Sequence, residues 1–218
     1  MTEKNINYKV GIDCGSKTVK AICLNSQGNI LYKSYLRHRT DIQSTILRTF
    51  REMREKIGDV DAQITFTGSA GMQVAQDLDL PFIQEVVASK TAISRYNPGT
   101  DVVIELGGED SKILFLTGGE ELRMNSTCAG GTGGFIDTIA AMVGTNAAGL
   151  SRQYATRTVK RPIASRCAVF ARNDVRAILN EGVSKGDIAA STFMAVVNQC
   201  VSGLACGRKI KGNVVFLG

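Results

Sequence analysis

Histidine is nearly missing from this chain of 218 residues: His38 is the only one, which argues against histidine-dependent catalytic triads. Flanked by Arg37 and Arg39 after a predicted strand, it reads as a solvated surface residue. Aromatic residues are also scarce at 6%, and the lysines and arginines behind the formal charge of +6 are scattered rather than massed. Both features argue against a stacking platform for nucleic acid; an acidic ligand or protein partner suits the charge. The first nine residues lack the apolar core of a signal peptide. Residues 188–206 carry no charge, yet their Ser, Thr, Asn and Gln content favours a buried helix over a membrane span. The six cysteines form no CxxC pair and no compact disulfide frame, so a reducing cytoplasm is expected. The loop pattern Gly-x-x-x-x-Gly-Lys-Ser/Thr is also missing.

What is abundant is glycine in one place: eight glycines fall between Gly107 and Gly134. There Val-Val-Ile-Glu-Leu-Gly-Gly-Glu-Asp-Ser-Lys (102–112) is followed by Asn-Ser-Thr-Cys-Ala-Gly-Gly-Thr-Gly-Gly-Phe (125–135). Glycine turns bring successive backbone N–H groups into concavities that bind anions, phosphates above all. A thiol at the lip of such a loop needs a separate reason, because thiolate repels phosphate. Hydrophobic and charged contents of 44% and 21% are ordinary for a globular protein, and the length suits one domain or two small ones.

Alternation and breakers predict strands at 8–14, 19–24 and 29–36, a helix at 41–57 opened by Thr40 or Asp41, and a strand at 62–67. A turn at 68–71, a helix, a short strand at 81–84 and a helix at 85–96 complete a first half. Asn97-Pro98-Gly99-Thr100 marks the boundary, giving lobes 1–97 and 98–218. The pattern then restarts with strands at 101–106, 112–116 and 121–125. Helices are expected at 135–143, 173–181 and 187–208, and a last strand at 213–217. Ile12-Asp13-Cys14-Gly15 and Ile104-Glu105-Leu106-Gly107 match, their acids 92 residues apart (105 − 13). The economical architecture is a duplicated α/β unit clamping a nucleotide between its halves.

On that reading Asp13 and Glu105 hold Mg²⁺, which bridges few carboxylates to substrate phosphates. Gly15, Ser16, Lys17 and Thr18 wrap one phosphate. Gly107, Gly108, Asp110 and Lys112 wrap another, and Gly130, Gly131, Thr132 and Gly133 form a third loop. Glu105 or Glu109 orients the attacking water, and Lys17 or Lys112 stabilises charge. Cys14, Cys23, Cys200 and Cys206 read as core packing. From local sequence Cys167 reads as another buried thiol, and Cys128 stays open between packing and ligation. Two cysteines fall short of the four thiolates of an iron–sulfur cluster unless a twofold dimer doubles them.

Gly-Ile-Asp-Cys-Gly-Ser-Lys-Thr-Val-Lys, Glu-Leu-Gly-Gly-Glu-Asp-Ser-Lys, Cys-Ala-Gly-Gly-Thr-Gly-Gly-Phe-Ile-Asp and Cys-Ala-Val-Phe-Ala-Arg-Asn-Asp resemble the activator ATPases of 2-hydroxyacyl-CoA dehydratases. These group with the ATPase subunits of benzoyl-CoA reductase in the actin-like and sugar-kinase superfamily. The resemblance runs from about Tyr8 to Gly218 and is closest to long fused activases. It implies two ribonuclease H-like lobes, the second truncated at its C-terminal end, and a homodimer carrying one [4Fe-4S] cluster on Cys128 and Cys167 of each subunit. It further implies that ATP hydrolysis to ADP drives a low-potential electron into a CoA-ester dehydratase or reductase, with no nucleic acid or membrane involved. Three positions depart from the family pattern: Glu105 where Asp is common, Glu109 where Gln is common, and Arg172-Asn173-Asp174 in place of an acidic patch. The rival expectations are a small-molecule kinase of the same superfamily, giving cysteine no role, and a non-enzymatic nucleotide-gated interaction domain.

Overall fold

The computed structural model describes residues 7–125, 130–165 and 167–218. Cys128 therefore lies outside the described residues. The chain divides into two compact units, Met1–Pro98 and Gly99–Gly218.

In the first unit, β1 (Tyr8–Cys14), β2 (Thr18–Leu24), β3 (Ile30–Arg37) and β4 (Ala62–Thr67) form a sheet of order β3-β2-β1-β4. β1 runs antiparallel to β2 and parallel to β4. The parallel pairing requires a crossover, and α1 (Ile42–Ile57) supplies it. Alternation along β1 buries Val10, Ile12 and Cys14 and leaves Asp13 on the other face, as the two-residue period of a strand demands. Asp41 caps α1 by accepting from the Ser44 N–H at 3.1 Å, and Ile46, Thr49 and Met53 form its buried stripe. Gly58, at φ 80°, ends the helix and returns its N–H to the Arg54 carbonyl at 2.8 Å. α2 (Gly71–Asp77) and α3 (Glu85–Tyr96) follow β4. The strand expected at 81–84 is reduced to one bridge between Phe66 and Phe82. Phe66 N–H reaches the Pro81 carbonyl and Ile83 N–H reaches Phe66, but Pro81 itself has no N–H to extend a ladder.

The second unit repeats the topology. β5 (Val102–Leu106), β6 (Ser111–Phe115), β7 (Glu121–Asn125) and β8 (Val214–Leu217) are ordered β7-β6-β5-β8, with β8 parallel to β5. All five residues of β6 are buried, so both faces of this strand are covered. Its core gathers Ile104, Ile113, Phe135, Ile139, Val175 and Ile188 from the strands and from α4 (Gly133–Met142), α6 (Ala168–Asn180) and α7 (Lys185–Asn198).

Three details depart from expectation. α5 (Ala147–Gln153) forms where no helix was expected, capped by Asn146, whose side chain accepts from Gly149 N–H at 2.8 Å. α6 starts at Ala168, five residues ahead of Asn173, and Cys167 caps it without a side-chain hydrogen bond, which leaves no polar start signal. α7 does not run to Arg208: it passes at Gln199–Leu204 into a π-helical turn, a form that recurs at functional sites. Cys206 follows at φ 43° and is exposed, not packed in a core. Among the described residues no helix is long and apolar enough to cross a membrane.

Candidate functional site

Asp13, next to last in β1, stands opposite Lys20 of β2, and the two side chains form an ion pair, Nζ to Oδ2, at 3.1 Å. The other carboxylate oxygen, Oδ1, is buried without a hydrogen-bond partner. Gly68, at φ 92°, carries the turn after β4 over this carboxylate, and any Cβ there would collide with Asp13 Oδ1, so only glycine fits. Ala70 N–H fixes that turn on the Cys14 carbonyl at 2.8 Å. The Cys14 thiol is pushed up to about 12, by burial first and by the Asp13 charge second; it stays a neutral packing group, as the β1 alternation predicts.

The turn carrying Gly15, Ser16 and Lys17 closes when Gly15 N–H meets the Thr18 carbonyl at 2.9 Å. Beneath it lies His38, 6% exposed, which overturns the expectation of a solvated histidine. Arg39 and Thr40 take positive φ (47° and 75°), and this local reversal rolls the imidazole under the turn. The Thr40 N–H donates to Nδ1 at 3.1 Å, so Nδ1 is unprotonated and Nε2–H donates to the Gly15 carbonyl at 3.2 Å. The His38 N–H reaches the Lys17 carbonyl at 3.3 Å. One residue therefore fixes both ends of the turn.

The second hairpin repeats this chemistry more deeply buried. Glu105 stands opposite Lys112, whose ammonium, only 5% exposed, sits 3.4 Å from Glu105 Oε1 and 3.0 Å from Asp110 Oδ2. Desolvating an ammonium is tolerable only with such partners. Glu109 is exposed at the tip of the turn. The carbonyls of Gly107 and Gly108 accept from Gly133 N–H at 2.8 Å and Gly134 N–H at 2.9 Å. A Cβ on Gly134 would lie 2.5 Å from the Gly108 oxygen, so this glycine pair lets two backbones meet. Thr132 caps α4 by accepting from Phe135 N–H. Asn125 donates to the Gly130 carbonyl at 3.1 Å. Gly131 lies against the side chain of Gln199 in the π-helical turn.

Cys167 is half-buried, not in a disulfide, and stands at the positive end of the α6 dipole. Beside it Val169 and Phe170 are both 64% exposed. The irregular stretch 158–165 is tied down at three places. Asp187 accepts from Thr158 N–H at 2.6 Å and Val159 N–H at 2.8 Å, Ser191 Oγ from Arg161 N–H, and Asp174 Oδ2 from Ala164 N–H. Those N–H bonds hold the Asp187 carboxyl at about 2, well below its ordinary range. Asp174, one of the departures from the family pattern, thus has a structural partner.

Lys20, Asp187 and Gln199 were not among the residues singled out from sequence, and His38 was read there only as a surface residue. Lys20 carried a readable signal: it precedes Lys112 by the same 92 residues (112 − 20) that separate the acids. Among the described residues no group of three or more His, Cys, Asp or Glu side chains is arranged around a metal position. The orphaned Oδ1 of Asp13 nonetheless offers one hard oxygen of the kind Mg²⁺ takes.

A family model described as the BadF/BadG/BcrA/BcrD ATPase family matches residues 10–218. The chain is similar to the (R)-2-hydroxyglutaryl-CoA dehydratase activating ATPase of Acidaminococcus fermentans, with 29% identity over 215 residues, 97% of this chain and 82% of that protein. Among solved structures it is similar to the activator of the 2-hydroxyisocaproyl-CoA dehydratase from Clostridium difficile with bound ADPNP. That match has a TM-score of 0.86 and 28% identity, and covers 97% of this chain and 80% of the other. A putative 2-dehydro-3-deoxygalactonokinase from Sinorhizobium meliloti, at 15% identity and a TM-score of 0.54 over 96% of this chain and 85% of its own, shares the fold.

Proposed function

Because the chain belongs to the BadF/BadG/BcrA/BcrD ATPase family, we propose that it is an ATP-dependent activator of a CoA-ester dehydratase or reductase, working as a homodimer. The observation that carries this reading is the repeated hairpin, each copy with a carboxylate at the end of its first strand, a lysine opposite and a glycine turn between. Such turns suit phosphates, and the relative with bound ADPNP is an activator of the 2-hydroxyisocaproyl-CoA dehydratase.

In this proposal Asp13 and Glu105 hold Mg²⁺, and the turns at 15–18 and 107–112 bind the phosphates of ATP. Glu105 or Glu109 orients the attacking water, while Lys112 offsets charge that grows as the γ-phosphate leaves. Cys128 and Cys167 from two chains would hold a [4Fe-4S] cluster, which supplies the low-potential electron when bound. The half-exposed Cys167 thiol at a helix N-terminus, with Val169 and Phe170 exposed beside it, fits a thiolate ligand near a protein–protein contact.

Anaerobic purification followed by iron and sulfide analysis tests the reading. The expected result is a brown dimer with ATPase activity that loses its iron on Cys128→Ser or Cys167→Ser. A colourless monomer that phosphorylates a sugar would overturn it in favour of a kinase.

A further inference from the structure

We propose that Lys20 is a charge-neutralising positioning residue of the first phosphate turn, poised to hand Asp13 over to a divalent cation; this rests on the ATPase reading above. Lys20 occupies in β2 the register position that Lys112 occupies in β6, opposite the acid next to last in the preceding strand. Both hairpins close that pair with an ion contact, so the fold repeats a carboxylate–ammonium couple and not merely a carboxylate. Lys17, by contrast, lies in the turn and has no counterpart at that spacing.

The pair in the first unit is left incomplete. Lys20 Nζ takes Oδ2 of Asp13 at 3.1 Å and rests 5.6 Å from the Tyr35 ring centroid, which holds it on that side. Oδ1 has no donor, and the hydroxyl of Thr67, paired with Asp13 across β1 and β4, is also buried without a partner. Asp13, Lys20 and Thr67 line one cavity of about 280 Å³. Burying a carboxylate oxygen without a hydrogen bond is costly, and a hard divalent cation is the ligand that such oxygens take. Lys20 offsets the Asp13 charge until that cation arrives. Without it, the bare carboxylate repels the phosphates of an incoming nucleotide.

The test measures binding of a fluorescent ADPNP analogue to the whole chain across a Mg²⁺ titration. Lys20→Met should weaken binding about tenfold at sub-millimolar Mg²⁺, with the deficit closing at high Mg²⁺ as the ion takes over neutralisation. Lys20→Arg should behave as the parent, and Asp13→Asn/Lys20→Met should regain binding at low Mg²⁺. A second arm follows Mn²⁺ by electron paramagnetic resonance without nucleotide. There Lys20→Met should bind the ion at least about threefold tighter than the parent, and the double variant should lose that gain. A deficit equal at every Mg²⁺ concentration, or unchanged Mn²⁺ affinity, overturns the role of Lys20. If the parent chain binds no nucleotide, the ATPase reading falls and the Mn²⁺ arm still decides the role of Lys20.

Discussion

Both ring nitrogens of His38 are committed, Nδ1 as acceptor from Thr40 and Nε2–H as donor to Gly15, which makes this side chain a support for the turn carrying Gly15, Ser16 and Lys17. Truncation to alanine would leave the Gly15 carbonyl and the Thr40 N–H without these partners. Each such loss costs about 1–3 kcal/mol when the group stays buried. His38→Ala is therefore expected to lower the melting temperature and to weaken nucleotide binding together. His38→Gln, whose amide can still donate toward Gly15, should recover part of both in thermal melts and nucleotide titrations. Equal nucleotide affinity in the parent and His38→Ala would remove the support role. Sequence could not place His38, because two arginines flank it and the turn that buries it depends on positive φ at Arg39 and Thr40, which neither residue type announces. Asp13 and Glu105 were legible because strand alternation and the following glycine fix an acid at each strand end.

At the scale of elements, signals carried by local side chains were readable and signals carried by tertiary packing were not. The start of α1 was visible in Asp41, which caps it, whereas the cysteine that caps α6 makes no side-chain capping bond. The π-helical turn was invisible because a non-local contact accompanies it: Gln199 fits against Gly131, which has no room for a Cβ. Residues 158–165 have no regular structure and owe their path to Asp187, Ser191 and Asp174. Asp187 gives this element a pH signature. Its carboxyl is lowered from 3.8 to about 2 in the folded chain, chiefly by the Thr158 and Val159 N–H groups. A depressed folded-state value means that the stabilisation is complete above the unfolded value and is lost as pH falls through the folded one. Urea midpoints of the parent and Asp187→Asn should therefore differ at neutral pH and converge as pH falls from about 4 toward 2. A gap that persists at the acid end would show that the segment is held by something other than the ionised carboxylate.

At the scale of the whole chain, the two units share a strand order, a parallel fourth strand and an acid–lysine couple at one spacing, yet the acids differ in length. The first hairpin works with aspartate, and the second places glutamate opposite its lysine. Glu105 lies 3.4 Å from Lys112, while Asp110 approaches the same ammonium at 3.0 Å, so Lys112 keeps a close partner if residue 105 retracts. If the repeat reflects a shared chemical task, the carboxylate is required and its exact reach is not. Glu105→Asp should then retain ATP turnover within about fivefold of the parent. Glu105→Gln, which keeps the size and removes the charge, should lose on the order of a hundredfold, the scale expected when a metal-binding or water-orienting carboxylate is removed. Steady-state phosphate release at saturating Mg²⁺ measures both. The opposite order, with Gln tolerated and Asp inactive, would mean that Glu105 serves only as a spacer for Lys112 and that the resemblance between the two hairpins is architectural.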